Sequence, residues 1–221
     1  MNGEPIYIFH HIPKTAGSSL LLCLQKWFEV LYDYREFWSK PFPPKKNLNE
    51  IHAGQCLAGH YEAEGVRLKQ RYPGIFRNRN FRVFTVVRDP LQLRISLFYY
   101  EKKYGLTRES ETLEQALLSS NHNYMAHILD CTSRNFRAVL DRYYFVGVSE
   151  ELQRCLDTFA KAIGKPQFVI PRRNATSRDE QVSHLSGNVL SEFRSLNYLD
   201  YEIYSYGINR YRDFSLSGND S

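Results

Sequence analysis

No apolar run in this chain approaches the roughly twenty residues a membrane-spanning helix needs. The first such run, Ile6 to Ile12, lacks the basic stretch that opens a secretory signal. These absences lead us to expect an unexported, cytoplasmic protein with no membrane insertion, and to discount the formal glycosylation acceptors Asn174-Ala175-Thr176 and Asn219-Asp220-Ser221. Cysteine is scarce: Cys23, Cys56, Cys131 and Cys155 are scattered and form no C-x-x-C pair. Neither a zinc site nor a disulfide framework is expected, and the thiols read as free and buried. Also missing is a basic block; the net charge of +5 is spread along the chain. That argues against a nucleic-acid partner and suits a small anionic ligand. No carboxylate cluster calls for a metal ion.

What is present is an ordinary globular composition over 221 residues, enough to bury the core of one domain. We assign that domain to residues 1–214 and read 215–221 as a disordered C-terminal tail. Ile6 to Ile12 favours a strand and ends at Pro13; Leu20, Leu24, Trp27, Phe28 and Leu31 then recur at helical spacing. Phe81 to Val87 repeats the design, with Asp89-Pro90 as N-cap and first helical residue of a helix over 91–103. Tyr143 to Val148 predicts a third strand, followed by a helix from Ser149-Glu150-Glu151 to about Ile163 that Gly164 ends. Gln167 to Ile170 suggests a further short strand, and 112–130 and 186–211 are helical in pattern. Ser39 to Lys46, rich in proline and lysine, reads as a surface loop. The fold class expected is α/β: a P-loop-like three-layer domain with a mostly parallel central sheet flanked by helices and a ligand site beyond the strands' carboxyl ends.

Two segments carry chemistry. Pro13-Lys14-Thr15-Ala16-Gly17-Ser18-Ser19 leads from the first strand into a helix, so backbone N–H groups, hydroxyls and the Lys14 ammonium converge at a positive helix end. On its own this stretch fits an anion seat or a plain capped helix start. The second segment, Arg88-Asp89-Pro90 through Arg94 and Ser96, adds an arginine at a strand end and a serine on the next helix, suited to a second phosphate. The order G-x-x-x-x-G-K-[ST] is absent, because Lys14 precedes Gly17, which disfavours a nucleoside triphosphatase.

With both motifs in order, the chain resembles the sulfotransferases that use 3'-phosphoadenosine 5'-phosphosulfate (PAPS), in particular the carbohydrate-type branch of heparan sulfate 2-O-sulfotransferase-like proteins. Weaker similarity runs through Asn123-Tyr124-Met125, Val146 to Glu150, Arg172 to Thr176 and Asp200 to Tyr204. The resemblance implies that Lys14, Thr15, Ala16, Gly17, Ser18 and Ser19 bind the 5' end of the donor. Arg88 and Ser96 would hold the 3'-phosphate, and Arg172, Arg173 and Asn174 would form a loop over the donor. Adenosine 3',5'-bisphosphate would be the product, and no metal is implied.

Lys14 would stabilise the leaving phosphate of an in-line transfer. A histidine, ordinarily titrating near pH ~6.5, suits removal of the acceptor proton. His60 in Leu57-Ala58-Gly59-His60-Tyr61 resembles the family segment that presents this base, here without a second histidine before the glycine; Glu62 and Glu64 are reserves. Strand alternation would send one of His10 and His11 into the core and the other outward. The acceptor implied is a hydroxyl on a carbohydrate, a glycolipid or another small molecule, with Trp38, Phe42, Tyr61, Tyr99 and Tyr100 as stacking candidates or core residues. The alternatives are a P-loop kinase-like phosphotransferase and a non-catalytic module that binds PAPS or adenosine bisphosphate.

Overall fold

The computed structural model describes residues 4–119, 121–170 and 184–217. Five strands, β1 (Ile6–His10), β2 (Glu29–Asp33), β3 (Gln55–Gly59), β4 (Phe81–Val87) and β5 (Phe145–Val148), form one sheet in the order β2-β3-β1-β4-β5. Every pairing is parallel, so each connection must cross a face of the sheet. The helices between strands are α1 (Gly17–Trp27), α2 (Leu68–Arg71), α3 (Pro90–Lys103), α4 (Leu113–Ser119), α5 (Tyr124–Leu129) and α6 (Phe136–Leu140), and after β5 come α7 (Leu152–Ala162), α8 (Gly187–Leu196) and α9 (Tyr198–Ser217). The expected α/β architecture is the one observed.

Both faces are covered. Tyr7 and Phe9 of β1 and Phe84 of β4 meet the aromatic cluster of α1 and α7, with Phe84 and Phe159 ring centroids 4.6 Å apart. On the opposite face α9 packs so tightly that a Cβ on Gly207 would lie 2.8 Å from Val87 Cγ2. Double coverage corrects one expectation: His10 and His11 do point to opposite faces, yet neither reaches solvent, at 1% and 6% exposure. His10 Nδ1 pairs with Tyr143 Oη at 2.7 Å.

The helix read through Leu31 stops at Trp27, and Glu29–Asp33 is instead edge strand β2. Leu31 keeps the helical spacing by coincidence; Phe28 is already extended. No strand forms over Gln167 to Ile170, where the Gln153 side chain takes the backbone bonds, donating to Phe168 O and accepting from Ile170 N. Helix α9 continues through Ser217, past the tail boundary drawn at 214. The cysteines are free thiols, and Cys23, Cys56 and Cys155 are buried. Among the described residues no helix is long and apolar enough to cross a membrane.

Asp33, fully buried at the end of β2, accepts from Arg71 Nε at 2.8 Å, Arg71 Nη2 at 2.6 Å and Tyr72 Oη at 2.7 Å. Arg71 Nη2 also donates to Pro43 O at 2.7 Å, so this pair pins the long crossover after β2 to α2.

Candidate active site

The chain leaves β1 for β2 and β3 on one side, then returns to β4 and β5 on the other. The crevice beyond the carboxyl ends of β1 and β4 is therefore the topological switch point, where doubly wound sheets bind ligands. A cleft of about 550 Å³ opens there, lined by His11, Lys14, Gly17, Ser18, Ser19, His60, Arg88, Ser96, Trp38 and Tyr100 among others. Residues as far apart in the sequence as His11 and Ser149 thus share one space because β1, β3, β4 and β5 end together.

Its floor is the turn from β1 into α1. Lys14 and Ala16 both take left-handed backbone (φ 67° each), which coils the loop around Thr15. Such conformations cost about 1–3 kcal/mol each in non-glycine residues and need outside support. Thr15 Oγ1 donates to Ile12 O at 2.8 Å and Arg88 Nη1 donates to Lys14 O at 2.7 Å. Thr15 is fully buried, so its hydroxyl serves the loop rather than the cleft. No side chain caps α1, and the first-turn N–H groups of a helix have no intrahelical acceptor. Ser18 and Ser19 remain on the cleft, and Lys14 Nζ lies 4.5 Å from the Tyr100 ring centroid.

Helix α3 starts where the Asp89 side chain accepts from Gln92 N at 2.9 Å, with Pro90 in the first turn. Arg88 precedes this cap. Its Nε is a buried donor without a hydrogen-bond partner, 3.9 Å from Glu150 Oε1. A second anion beside Lys14 would satisfy it, so the residues present fit a ligand with two anionic ends. Ser96 lines the same wall, whereas Arg94 turns away to Glu101 and Ala116 O. Arg172, Arg173 and Asn174 lie outside the described residues.

His60 follows β3 directly. The register His10↔Gly59 sets His11 beside it, and His11 Nδ1 lies 2.9 Å from His60 Nε2 and 3.1 Å from Tyr34 Oη. A second histidine is absent from the segment before Gly59, but His11, the residue after β1, stands beside His60. Burial, with help from Arg35, lowers His60 to about 3; burial first, then the neighbouring His60, His10 and Lys14, hold His11 well below the usual histidine range. Both rings are neutral near pH ~7, as a proton acceptor must be.

Beyond His60 the cleft continues into a recess of about 130 Å³ lined by Tyr34, Arg35, Phe37, Trp38, Glu62 and Tyr100 among others. His60, Trp38 and Tyr100 border both spaces. Glu62 is ion-paired with Arg35, while Glu64 pairs with Arg67 at 3.0 Å on the exposed side of the chain. Of the stacking candidates, Trp38 and Tyr100 face the cleft, Tyr61 is core, Tyr99 is exposed, and Phe42 packs against Arg35 and Arg71. Tyr34, Arg35 and, as a cleft residue, Ser149 escaped sequence reasoning; His11, next to the Lys14 loop, was legible there only as a support of Lys14 or a packed core residue. Asn123 and Asp200 belong elsewhere, tying α5 to α9.

No protein-family model matches the chain, and no curated protein matches it. Among solved structures, its fold is similar to a sulfotransferase from Alicyclobacillus acidocaldarius (TM-score 0.53, 14% identity, 94% of this chain and 97% of that one). It is also similar to the mouse sulfotransferase SULT7A1 complexed with PAP (TM-score 0.56, 13% identity, 96% of this chain and 89% of that one). At such identities the likeness establishes the fold, which is that of these sulfotransferases.

Proposed function

We propose that the protein is a PAPS-dependent sulfotransferase acting on a hydroxyl acceptor. The observation that carries this reading is the convergence of Lys14, the α1 N-terminus, Arg88 and Ser96 with His60 in one cleft, in a fold shared with sulfotransferases. In this reading the α1 turn holds the 5'-phosphosulfate, and Arg88 with Ser96 holds the 3'-phosphate. His60 takes the acceptor's proton as the new oxygen–sulfur bond forms and the bond from sulfur to the 5'-phosphate oxygen breaks. Lys14 meets the charge that grows on that oxygen, an interaction stronger in the transition state than before it. Adenosine 3',5'-bisphosphate leaves as product.

The acceptor is a carbohydrate or glycolipid hydroxyl in this proposal. Aromatic faces at Tyr34, Trp38 and Tyr100 beside the polar Arg35–Glu62 pair match a sugar ring, which offers C–H faces and hydroxyl edges. One domain supplies both sides of the site.

Sulfur-labelled PAPS incubated with a panel of saccharides, glycolipids and simple alcohols in the presence of chelator tests the reading. Label should move to a hydroxyl acceptor without metal. Lys14→Ala and His60→Ala should each lower kcat about 10²- to 10⁴-fold. Arg88→Ala should weaken donor binding about 10- to 100-fold, since it removes a charge-assisted contact and a support of the Lys14 loop. Metal-dependent transfer from a nucleoside triphosphate, or PAPS binding with no transfer to any acceptor, would overturn it.

A further inference from the structure

We infer that His11 is a positioning residue that decides which ring nitrogen of His60 is free to act as base, and that the bound donor sets this choice through His11. The inference rests on the proposed role of His60 and adds the device that prepares it.

His11 bridges the two halves of the site. Its backbone N–H donates to Gly59 O at 3.0 Å, locking it to the strand end that carries His60. Its Nδ1 faces His60 Nε2 at 2.9 Å and Tyr34 Oη at 3.1 Å. The opposite edge of the ring lies on the anion seat, so close to the first residue of α1 that a Cβ on Gly17 would sit 1.8 Å from His11 Nε2. Both His11 and Gly17 line the cleft.

A neutral imidazole carries one N–H, so the proton on one edge fixes the lone pair on the other. An anion seated at the start of α1 favours N–H on His11 Nε2, which leaves Nδ1 bare. A bare Nδ1 offers one lone pair, which accepts from His60 Nε2–H, while Tyr34 at 3.1 Å keeps its proton because burial raises its pKa well above the tyrosine norm. His60 then presents a bare Nδ1. Among the described residues no hydrogen bond engages that atom, and it is not one of the buried polar atoms left without a partner, so in this inference it is the nitrogen open to the acceptor in the space that the ring borders.

During transfer the acceptor proton passes to His60 Nδ1, and the electron pair of its O–H bond goes into the new oxygen–sulfur bond. The breaking bond leaves its pair on the 5'-phosphate oxygen. His60 becomes an imidazolium, and its Nε2–H bond to His11 becomes charge-assisted at that moment. Arg35 and Lys14 oppose the imidazolium, Glu36 and the Arg35-paired Glu62 line the recess beside it, and the His11 contact adds a direct partner for its N–H. Among the described residues no hydrogen bond engages the Nε2 edge of His11, so without a donor anion none of them favours this tautomer.

The test uses the full chain with adenosine 3',5'-bisphosphate as the anion and three substitutions. The Asn side chain of His11→Asn keeps an acceptor at the Nδ1 position, His11→Gln puts its amide at the Nε2 position, and His11→Ala keeps neither. We expect kcat to fall about 10²-fold in His11→Gln and His11→Ala, the loss that follows misplacement of a reacting group. His11→Asn should recover most of kcat while the KM for the donor rises. Ring-nitrogen chemical shifts should show His60 as the single Nε2–H tautomer in the liganded wild type and as a mixture in His11→Ala. A liganded wild type with His60 in the Nδ1–H form overturns the inference, as does wild-type kcat in His11→Ala when His60→Ala is inactive. Full activity in His60→Ala instead sinks the base assignment beneath it, which the tautomer spectra distinguish because they need no turnover.

Discussion

At the scale of single residues, the proposed anion seat depends on space as much as on charge. Gly17 is needed for its missing side chain: the His11 ring fills the place where a Cβ would go, at 1.8 Å from Nε2. Gly17→Ala must push the ring, the turn or both. We expect a loss of about 1–3 kcal/mol in stability from overpacking, and a fall of about 10²-fold in affinity for adenosine 3',5'-bisphosphate from the displaced turn. Denaturant unfolding and titration calorimetry measure the two separately. Wild-type affinity in a stable Gly17→Ala protein would mean that the ligand seats elsewhere.

Among elements, α9 joins the layers. Its Asp200, almost fully buried, accepts from Met125 N and Ala126 N at 2.9 Å each, so a residue of α9 caps the start of α5. Asn123 adds bonds to Leu196 O and from Leu199 N. Removing the carboxylate by Asp200→Ala leaves two buried N–H groups without acceptors, which should cost about 2–4 kcal/mol. Calorimetry should record this as a fall in Tm of roughly 5–15 °C. Because these bonds lie away from the cleft, affinity for adenosine 3',5'-bisphosphate in the remaining folded protein should be unchanged.

For the molecule as a whole, buried titratable groups set the response to pH. Burial lowers His10 and His60 to about 3 and His11 well below its usual range, whereas burial raises Asp200 to about 6. A histidine depressed on folding gives stability that is complete above its unfolded value of ~6.5 and is lost as pH falls toward the folded value, at ~1 kcal/mol per pH unit for each ring. Asp200 has the opposite sign: a carboxyl raised on folding favours the fold at low pH and loses that contribution as pH rises from about 4 through 6. Three rings outweigh one carboxyl, so the free energy of unfolding should fall on going from pH 7 to 5. Denaturant melts across that range measure it, and a flat profile would mean that the rings are protonated within the fold.

How much of this was legible depends on whether the cause was local. The strand–turn–helix at Lys14 and the Asp89-Pro90 start of α3 were readable because an N-cap, a proline or an apolar run acts on its own neighbours. Edge strand β2 was not, since Leu31 continues the spacing of α1 and only pairing with β3 makes it a strand. The same holds for the site. The residues proposed to bind the anion announced themselves by type and order, and His60 by the likeness of its segment to the family's. The contact between His60 and His11, 49 positions apart, exists because β1 and β3 pair with His10 opposite Gly59. The sequence by itself determined the α/β class, the strand ends that matter and the charge waiting there. Only the tertiary structure decided which side chains share the cleft, because strand register brings together residues whose chemistry depends on neighbours far away along the chain.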